Sequence, residues 1–218
     1  MTIDAPTTLD DLVARIRLLQ EDEARASRIL IGIVGEPGGG KSTIAAALVE
    51  ALGDAIDVPM DGFHLSNEVL ALLGSLERKG AIDTFDDAGY LALLRRLRAG
   101  ESLVYAPDYV RGLEESVGGS IAVASSVPVV ISEGNYLLAT SGHWPFVRQQ
   151  FDEVWYVDTP PALRMAWLVE RHALFGKSQD AAIAYAYGPD EVNAGLVREG
   201  RRHADLVVPI SVLGPLAA

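Results

Sequence analysis

The stretch Ile29-Leu-Ile-Gly-Ile-Val34-Gly35-Glu36-Pro37-Gly38-Gly39-Gly40-Lys41-Ser42-Thr43 joins a short apolar run to a glycine-rich turn and then to an alanine-rich segment. The run is rich in β-branched residues and short, so it predicts a strand buried on both faces, as in a parallel sheet. Residues 42–52 continue as a helix. The turn between them matches G-x-x-x-x-G-K-[ST], and a strand before it and a helix after it are the context that this pattern needs. Glycine lets the backbone curl until successive N–H groups face one anion. The positive end of the helix points at the same place. Lys41 is then set to reach the β- and γ-phosphates of ATP, and the Ser42 hydroxyl to ligate Mg²⁺. Gly35, Glu36, Pro37, Gly38, Gly39, Gly40, Lys41, Ser42 and Thr43 are the expected nucleotide-binding set.

Outward from the loop, strands alternate with helices. Thr8 opens a Thr-x-x-Asp capping pattern, and Leu9, Leu12, Val13, Ile16 and Leu19 recur at helical spacing, which predicts a leading helix within residues 1–27. Residues 55–60, 127–132, 153–157 and 206–210 read as further strands. Residues 87–98, 161–175 and about 190–203 read as helices, the second with proline in its first turn. Between 102 and 126 the signal breaks into short extended pieces at Pro107, Gly112 and Gly118-Gly119, and 176–188 is a mixed polar segment. The alternation predicts an α/β fold, a three-layer α/β/α sandwich around a mostly parallel sheet. One domain is expected over 1–218, with 62–126 as an insertion that supplies a substrate wall.

The composition sets limits. With 218 residues and 49% of them hydrophobic, the chain can bury a sizeable core. It has no cysteine, so no disulfide framework or thiolate metal site is available. The formal charge of −12 argues against nucleic acid as the main partner. No apolar run is long enough for a membrane-spanning helix, and residues 1–11 hold three carboxylates and no apolar run, unlike a secretory signal. A cytoplasmic location is the expectation. The only lysines are Lys41, Lys79 and Lys177, against fifteen arginines.

Several classes of nucleotide-binding protein can be set against these residues. A GTPase would want an Asn-Lys-x-Asp segment, and no Asn-Lys pair occurs; a transporter-type ATPase would want a serine-glycine-glycine signature, which is absent. A kinase needs a base near the γ-phosphate, a carboxylate on the metal side and cations that close over the phosphoryl. Met60-Asp61-Gly62-Phe63-His64 ends the second strand, on the edge where parallel sheets place ligands. Asp61 there either accepts a proton from an attacking hydroxyl or caps a turn. Val129-Val-Ile-Ser-Glu133-Gly134 is an apolar strand ending in a carboxylate, which suits Mg²⁺ or its water.

Together with the loop, Asp61-Gly-Phe-His64, Arg78-Lys-Gly80 with Thr84-Phe-Asp86, Pro107-x-Tyr109 and Glu133-Gly134 resemble the uridine kinase, pantothenate kinase and phosphoribulokinase group of P-loop kinases. The likeness runs in order from about residue 28 to 210. It is strongest toward the small bacterial relatives described as nucleoside or sugar-transport-associated kinases. The resemblance implies a nucleoside-kinase-like fold with a lid, Asp61 as general base and Glu133 as metal-side carboxylate. It also implies a lid beginning at 164–177 and reaching to 188, whose arginines stabilise the transferred phosphoryl, Arg171 first and Arg164 second. It admits a homodimer. Two positions depart from the group's pattern: Ile82 where proline is frequent, and Val110 where aspartate commonly follows the tyrosine.

His64, Arg78, Lys79, Tyr109, Arg111, Asn135 and Tyr136 are the candidates to line an acceptor pocket, since a few polar groups converging on an apolar pocket usually set its specificity. Trp144, Trp155 and Trp167 are expected in the core or at interfaces. The function expected is an ATP- and Mg²⁺-dependent kinase, EC 2.7.1 in type, acting on a small alcohol: a sugar, a nucleoside or a pantothenate-like molecule. The competing expectation is a non-kinase ATPase that switches a protein partner.

Overall fold

The computed structural model of the chain describes residues 6–22 and 28–214; residues 1–5 and 23–27 of the expected leading segment lie outside them. Thr8 Oγ1 accepts from the Asp11 N–H at 3.2 Å while the Asp11 carboxylate accepts from the Thr8 N–H at 2.9 Å. This closed capping box starts α1 (Leu9–Glu21). β1 (Ile29–Val34) follows, buried at all six positions. Then come α2 (Lys41–Leu52), β2 (Ala55–Asp57), α3 (Asn67–Leu72), α4 (Asp87–Arg98), β3 (Leu103–Val110) and β4 (Glu115–Ala124). The chain continues through β5 (Val129–Gly134), α5 (Trp144–Arg148), β6 (Glu153–Asp158), α6 (Pro161–Leu174), α7 (Gln179–Tyr187), α8 (Pro189–Gly200) and β7 (Leu206–Pro209).

Five strands form one sheet in the order β2-β5-β1-β6-β7, and every pairing in it is parallel. β1 lies at the centre, with Ile31 beside Ile131 and Ile33 beside Trp155. Successive side chains of a strand point to opposite faces. Leu30 and Val34 therefore meet Tyr90, Leu94 and Trp144 on one face, where α4 and α5 pack. Ile29, Ile31 and Ile33 meet Ile44, Leu48, Leu12 and Ile16 on the other, under α2 and α1. The result is the three-layer α/β/α sandwich. Among the described residues no helix is long and apolar enough to cross a membrane.

Besides the short helices α3 and α5, which the sequence pattern does not predict, the elements differ from the sequence expectation in three places. The second strand is only three residues long, and Met60–Phe63 is a 3₁₀ turn entered through Pro59. Residues 103–124 are not broken pieces but a continuous antiparallel hairpin, β3 on β4. Pro107 has no N–H for the ladder, and the register shifts between Ala106 and Asp108 to accommodate it. The mixed polar segment contains α7, capped by Ser178, whose hydroxyl accepts from the Ala181 N–H.

One buried arginine ties the hairpin to the sheet. Arg28, 2% exposed, donates to the carbonyls of Leu97, Ala124 and Val127 at 2.9, 2.6 and 2.9 Å. It thus joins the end of α4, the end of β4 and the entry to β5. Arg28→Met should lower stability in urea unfolding by about 3 kcal/mol, because three carbonyls lose a charged donor at once. A loss below about 0.5 kcal/mol would show that the link is dispensable.

Candidate active site

The phosphate loop is shaped by its glycines. Gly38 and Gly40 have φ of +76° and +82°, in the left-handed region that favours glycine. A Cβ on Gly38 would stand 2.9 Å from the Arg164 carbonyl and the Leu168 side chain of α6, and one on Gly40 only 2.6 Å from Ile210. The loop is therefore pressed against α6 and the end of β7. Gly39 N–H closes a turn on the Glu36 carbonyl at 2.9 Å, and Thr159 Oγ1 donates to the Gly39 carbonyl at 2.8 Å.

At the start of α2, Lys41 is buried and its Nζ donates to the Glu36 carbonyl at 3.3 Å. Ser42 Oγ donates to Glu133 Oε1 at 2.8 Å. Glu133 reaches this point because β5 pairs with β1, which sets it beside Ile33 at the end leading into the loop. Burial pushes the Lys41 pKa down, and the charges of Glu133 and Asp61 oppose that. Burial and then Asp61 push the Glu133 pKa up, opposed by Lys41 and the Ser42 hydrogen bond. Each buried group thus favours the charged form of the other.

Among the described residues no cluster of three or more His, Cys, Asp or Glu could hold a metal unaided. Ser42 and Glu133, joined by their hydrogen bond, offer two oxygen donors facing the loop. That set fits Mg²⁺, which keeps several waters and takes one or two protein oxygens plus phosphate oxygens.

Asp61 sits in the 3₁₀ turn after β2, and Arg111 Nη2 is 3.5 Å from its Oδ2. The turn fits under the hairpin only because residue 62 is glycine; a Cβ there would lie 2.3 Å from the Pro107 carbonyl. His64 Nδ1 lies 2.8 Å from the Asp61 carbonyl, and its ring contacts Phe85 and Tyr109 at centroid distances of 4.0 and 4.7 Å. Burial lowers the His64 pKa, which favours a neutral imidazole.

A cavity of about 370 Å³ brings these groups together: Pro37, Lys41, Ser42, Asp61 and Glu133 on one side, and His64, Lys79, Tyr109, Arg111 and Asn135 on the wall. Arg171 faces them from α6. It has no ion-pair partner among the described residues, and burial together with Arg111 lowers its pKa. Two residues expected in the wall are not in the lining. Arg78 is outside, exposed and paired with Asp83 at 2.7 Å. Tyr136 is behind the wall, 1% exposed, its hydroxyl donating to the Gly80 carbonyl at 2.7 Å. Lys79 is in the lining, but its Nζ is engaged with Asn67 Oδ1 at 2.7 Å and the Glu114 carbonyl at 2.5 Å, so it also fastens the hairpin tip.

Arg164 does not join Arg171 at the cavity. It is buried and pairs with Glu36 and Glu191, about two helical turns away from Arg171 along α6. The sequence reading passed over His172, Tyr185, Asp190 and Asn193, which line the cavity from α6, α7 and α8. His172 Nε2 lies 2.6 Å from Asp190 Oδ2, and Asn193 Nδ2 is 3.4 Å from the Gly80 carbonyl. Their only local signal was nearness to Arg171 and to the start of the last helix. Asp57, also passed over, carries a buried Oδ1 without a hydrogen-bond partner. Burial, then Glu133, Asp108 and Asp61, push its pKa up to about 7.

No family model matches the chain. A Schizosaccharomyces pombe protein provisionally named a uridine kinase is 30% identical over 224 residues, 95% of this chain and 94% of that protein. A pantothenate kinase of a Chelativorans species is 35% identical over 162 residues, which are 69% of this chain but 51% of that enzyme; the chain spans about half the length of such relatives. The crystal structure of a Silicibacter protein, provisionally named a fructose transport system kinase, is 37% identical with a TM-score of 0.85, covering 93% of this chain and 99% of its own.

Asp57 gives this site a pH signature. Its folded pKa of about 7 exceeds the ordinary 3.8, so between those values the folded chain holds a proton that the unfolded chain has released. Stability then falls as pH rises through that window, by an amount on the order of 4 kcal/mol. Asp57→Asn should flatten the profile, giving a higher melting temperature than wild type above about pH 7 and a near-equal one at about pH 4. Parallel melting curves for the two proteins across that range would contradict the assignment.

Proposed function

The chain belongs to the P-loop kinase family of the uridine and pantothenate kinases, and from that premise we propose that it uses ATP and Mg²⁺ to phosphorylate a hydroxyl of a small molecule. The acceptor class comprises sugars, nucleosides and pantothenate-like alcohols. One observation carries the reading: the Asp61 carboxylate opens into the same cavity as Lys41, Ser42 and Glu133, with four further cations, Lys79, Arg111, Arg171 and Lys177, around it.

In this reading each residue has a physical task. The loop N–H groups and Lys41 hold the β- and γ-phosphates. Ser42 and Glu133 hold Mg²⁺, which when bound neutralises charge on the phosphate oxygens. Asp61 orients the acceptor hydroxyl and takes its proton as the oxygen bonds to the γ-phosphorus and the bridge to the β-phosphate breaks, leaving ADP. Arg171, free of any ion pair among the described residues, and Arg111 offset the charge on the phosphoryl in transit. Residues 62–126 form the substrate wall and 164–188 the lid within one kinase domain, and closing the lid excludes water from the transfer. A cytoplasmic setting suits a cysteine-free chain, and the net charge of −12 suits a small-molecule partner better than nucleic acid. A homodimer is compatible with this organisation. A nucleotide switch is not favoured, because the relatives carry kinase names.

An ADP-release assay over sugars, nucleosides and pantothenate tests the proposal. Turnover should appear only with an accepted alcohol, and Asp61→Asn should lower kcat by about a hundredfold or more while ATP affinity stays within about twofold. Steady ADP release with no acceptor, equal in the variant, would instead support the switch.

A further inference from the structure

A carboxylate inside a loop that must hold several phosphate oxygens is electrostatically adverse, yet Glu36 stands second in this one. Its side chain is met by two guanidiniums. Arg198 Nη1 lies 2.6 Å and Arg164 Nε 3.1 Å from the same oxygen, Oε2, while the Tyr156 hydroxyl lies 3.2 Å from Oε1. Both arginines then turn to one further carboxylate. Arg198 Nη2 is 2.6 Å from Glu191 Oε1, and Arg164 Nη2 hydrogen-bonds Glu191 Oε2. The four side chains close a ring of alternating charge whose sum is zero.

The ring is built from distant parts of the chain: the phosphate loop, α6 and α8. Arg164 is 3% exposed; its Nη1 donates to the Pro37 carbonyl at 3.2 Å and so grips the loop backbone, while its buried Nε has no hydrogen-bond partner and meets Glu36 as an ion pair alone. None of the four residues lines the acceptor cavity. The same α8 that carries Glu191 and Arg198 turns Asp190 and Asn193 into that cavity. The ring therefore sits between the nucleotide loop and the acceptor wall without touching the acceptor itself. The Glu191 pKa is lowered and that of Arg198 raised, each chiefly through its bonds within the ring once burial is set aside.

We propose that Arg198 and Arg164 are positioning residues that neutralise Glu36, so that the loop can accept the phosphates of a nucleoside triphosphate with α8 held against it. The inference rests on the reading that this loop binds ATP. Arg198 is the residue to change, since it is 45% exposed and its loss spares the buried grip of Arg164.

The probe is a fluorescent N-methylanthraniloyl ATP with Mg²⁺, titrated into four folded proteins: wild type, Arg198→Met, Glu36→Gln and the double variant. Arg198→Met leaves Glu36 undercompensated and should weaken binding by about tenfold, most clearly at low salt. The double variant should return to within about twofold of wild type, because the adverse charge has gone with its counter-charge. Glu36→Gln alone should bind at least as tightly as wild type, and it carries the test if Arg198→Met does not fold. Unchanged affinity in Arg198→Met, or a double variant as weak as that single one, would overturn the proposal, the latter because Arg198 would then act only by packing α8. Weaker binding by Glu36→Gln would overturn it too. No binding by wild type would instead remove the nucleotide reading on which it stands.

Discussion

Burying Lys41 and Glu133 in one place costs free energy that only their mutual attraction and their hydrogen bonds offset. The rest of the site follows from meeting that cost. β5 must lie beside β1 for Glu133 to reach the Ser42 hydroxyl, and the glycines must curl the loop for Lys41 to point inward. The order β2-β5-β1-β6-β7 achieves the first, because it sets the carboxyl ends of three strands around the loop. A phosphate group entering the loop adds negative charge next to Lys41 and the N-terminus of α2, where the donors are already aimed. Little reorganisation is then left for the moment of reaction.

Charge is arranged in two zones. Next to the nucleotide loop, Glu36, Arg164, Glu191 and Arg198 cancel one another in a closed ring. Across the cavity, Arg171 and Lys177 have no carboxylate partner among the described residues, and Lys177 Nζ lies 4.7 Å from the centroid of the Tyr185 ring. A paired arginine fixes structure, whereas an unpaired one facing a cavity is poised to meet an anion. The two arginines of α6 divide along that line. Arg164 belongs to the first zone and Arg171 to the second, although the sequence shows only their spacing of seven.

Much of the fold was legible because it is local. The strand, the glycine loop and the helix after it lie within the twenty-four consecutive residues 29–52, and the apolar periods of α4 and β5 are equally self-contained. The hairpin was not legible, since Pro107 and paired glycines look like interruptions until the opposite strand supplies a register that absorbs the proline. Candidate site residues divide in the same way. Lys41, Ser42, Asp61 and Glu133 sit in short patterns tied to strand ends. His172, Asp190 and Asn193 reach the cavity only through the packing of α6, α7 and α8, and Arg78 leaves it because Asp83 is a nearer partner. Asp57 is an aspartate in a short strand until Glu133, Asp108 and Asp61 arrive from other segments and bury it among like charges.

In the proposed function, the buried Lys41 at the head of α2 makes this loop a seat for nucleoside triphosphate. Calorimetric titration of Mg·ATP into wild type and into Lys41→Ala, both shown to be folded, tests it most directly. Wild type should bind saturably at one site, and the variant should lose about a hundredfold in affinity, since Glu133 is then left buried without its counter-charge. Equal affinity in the two proteins would contradict the claim.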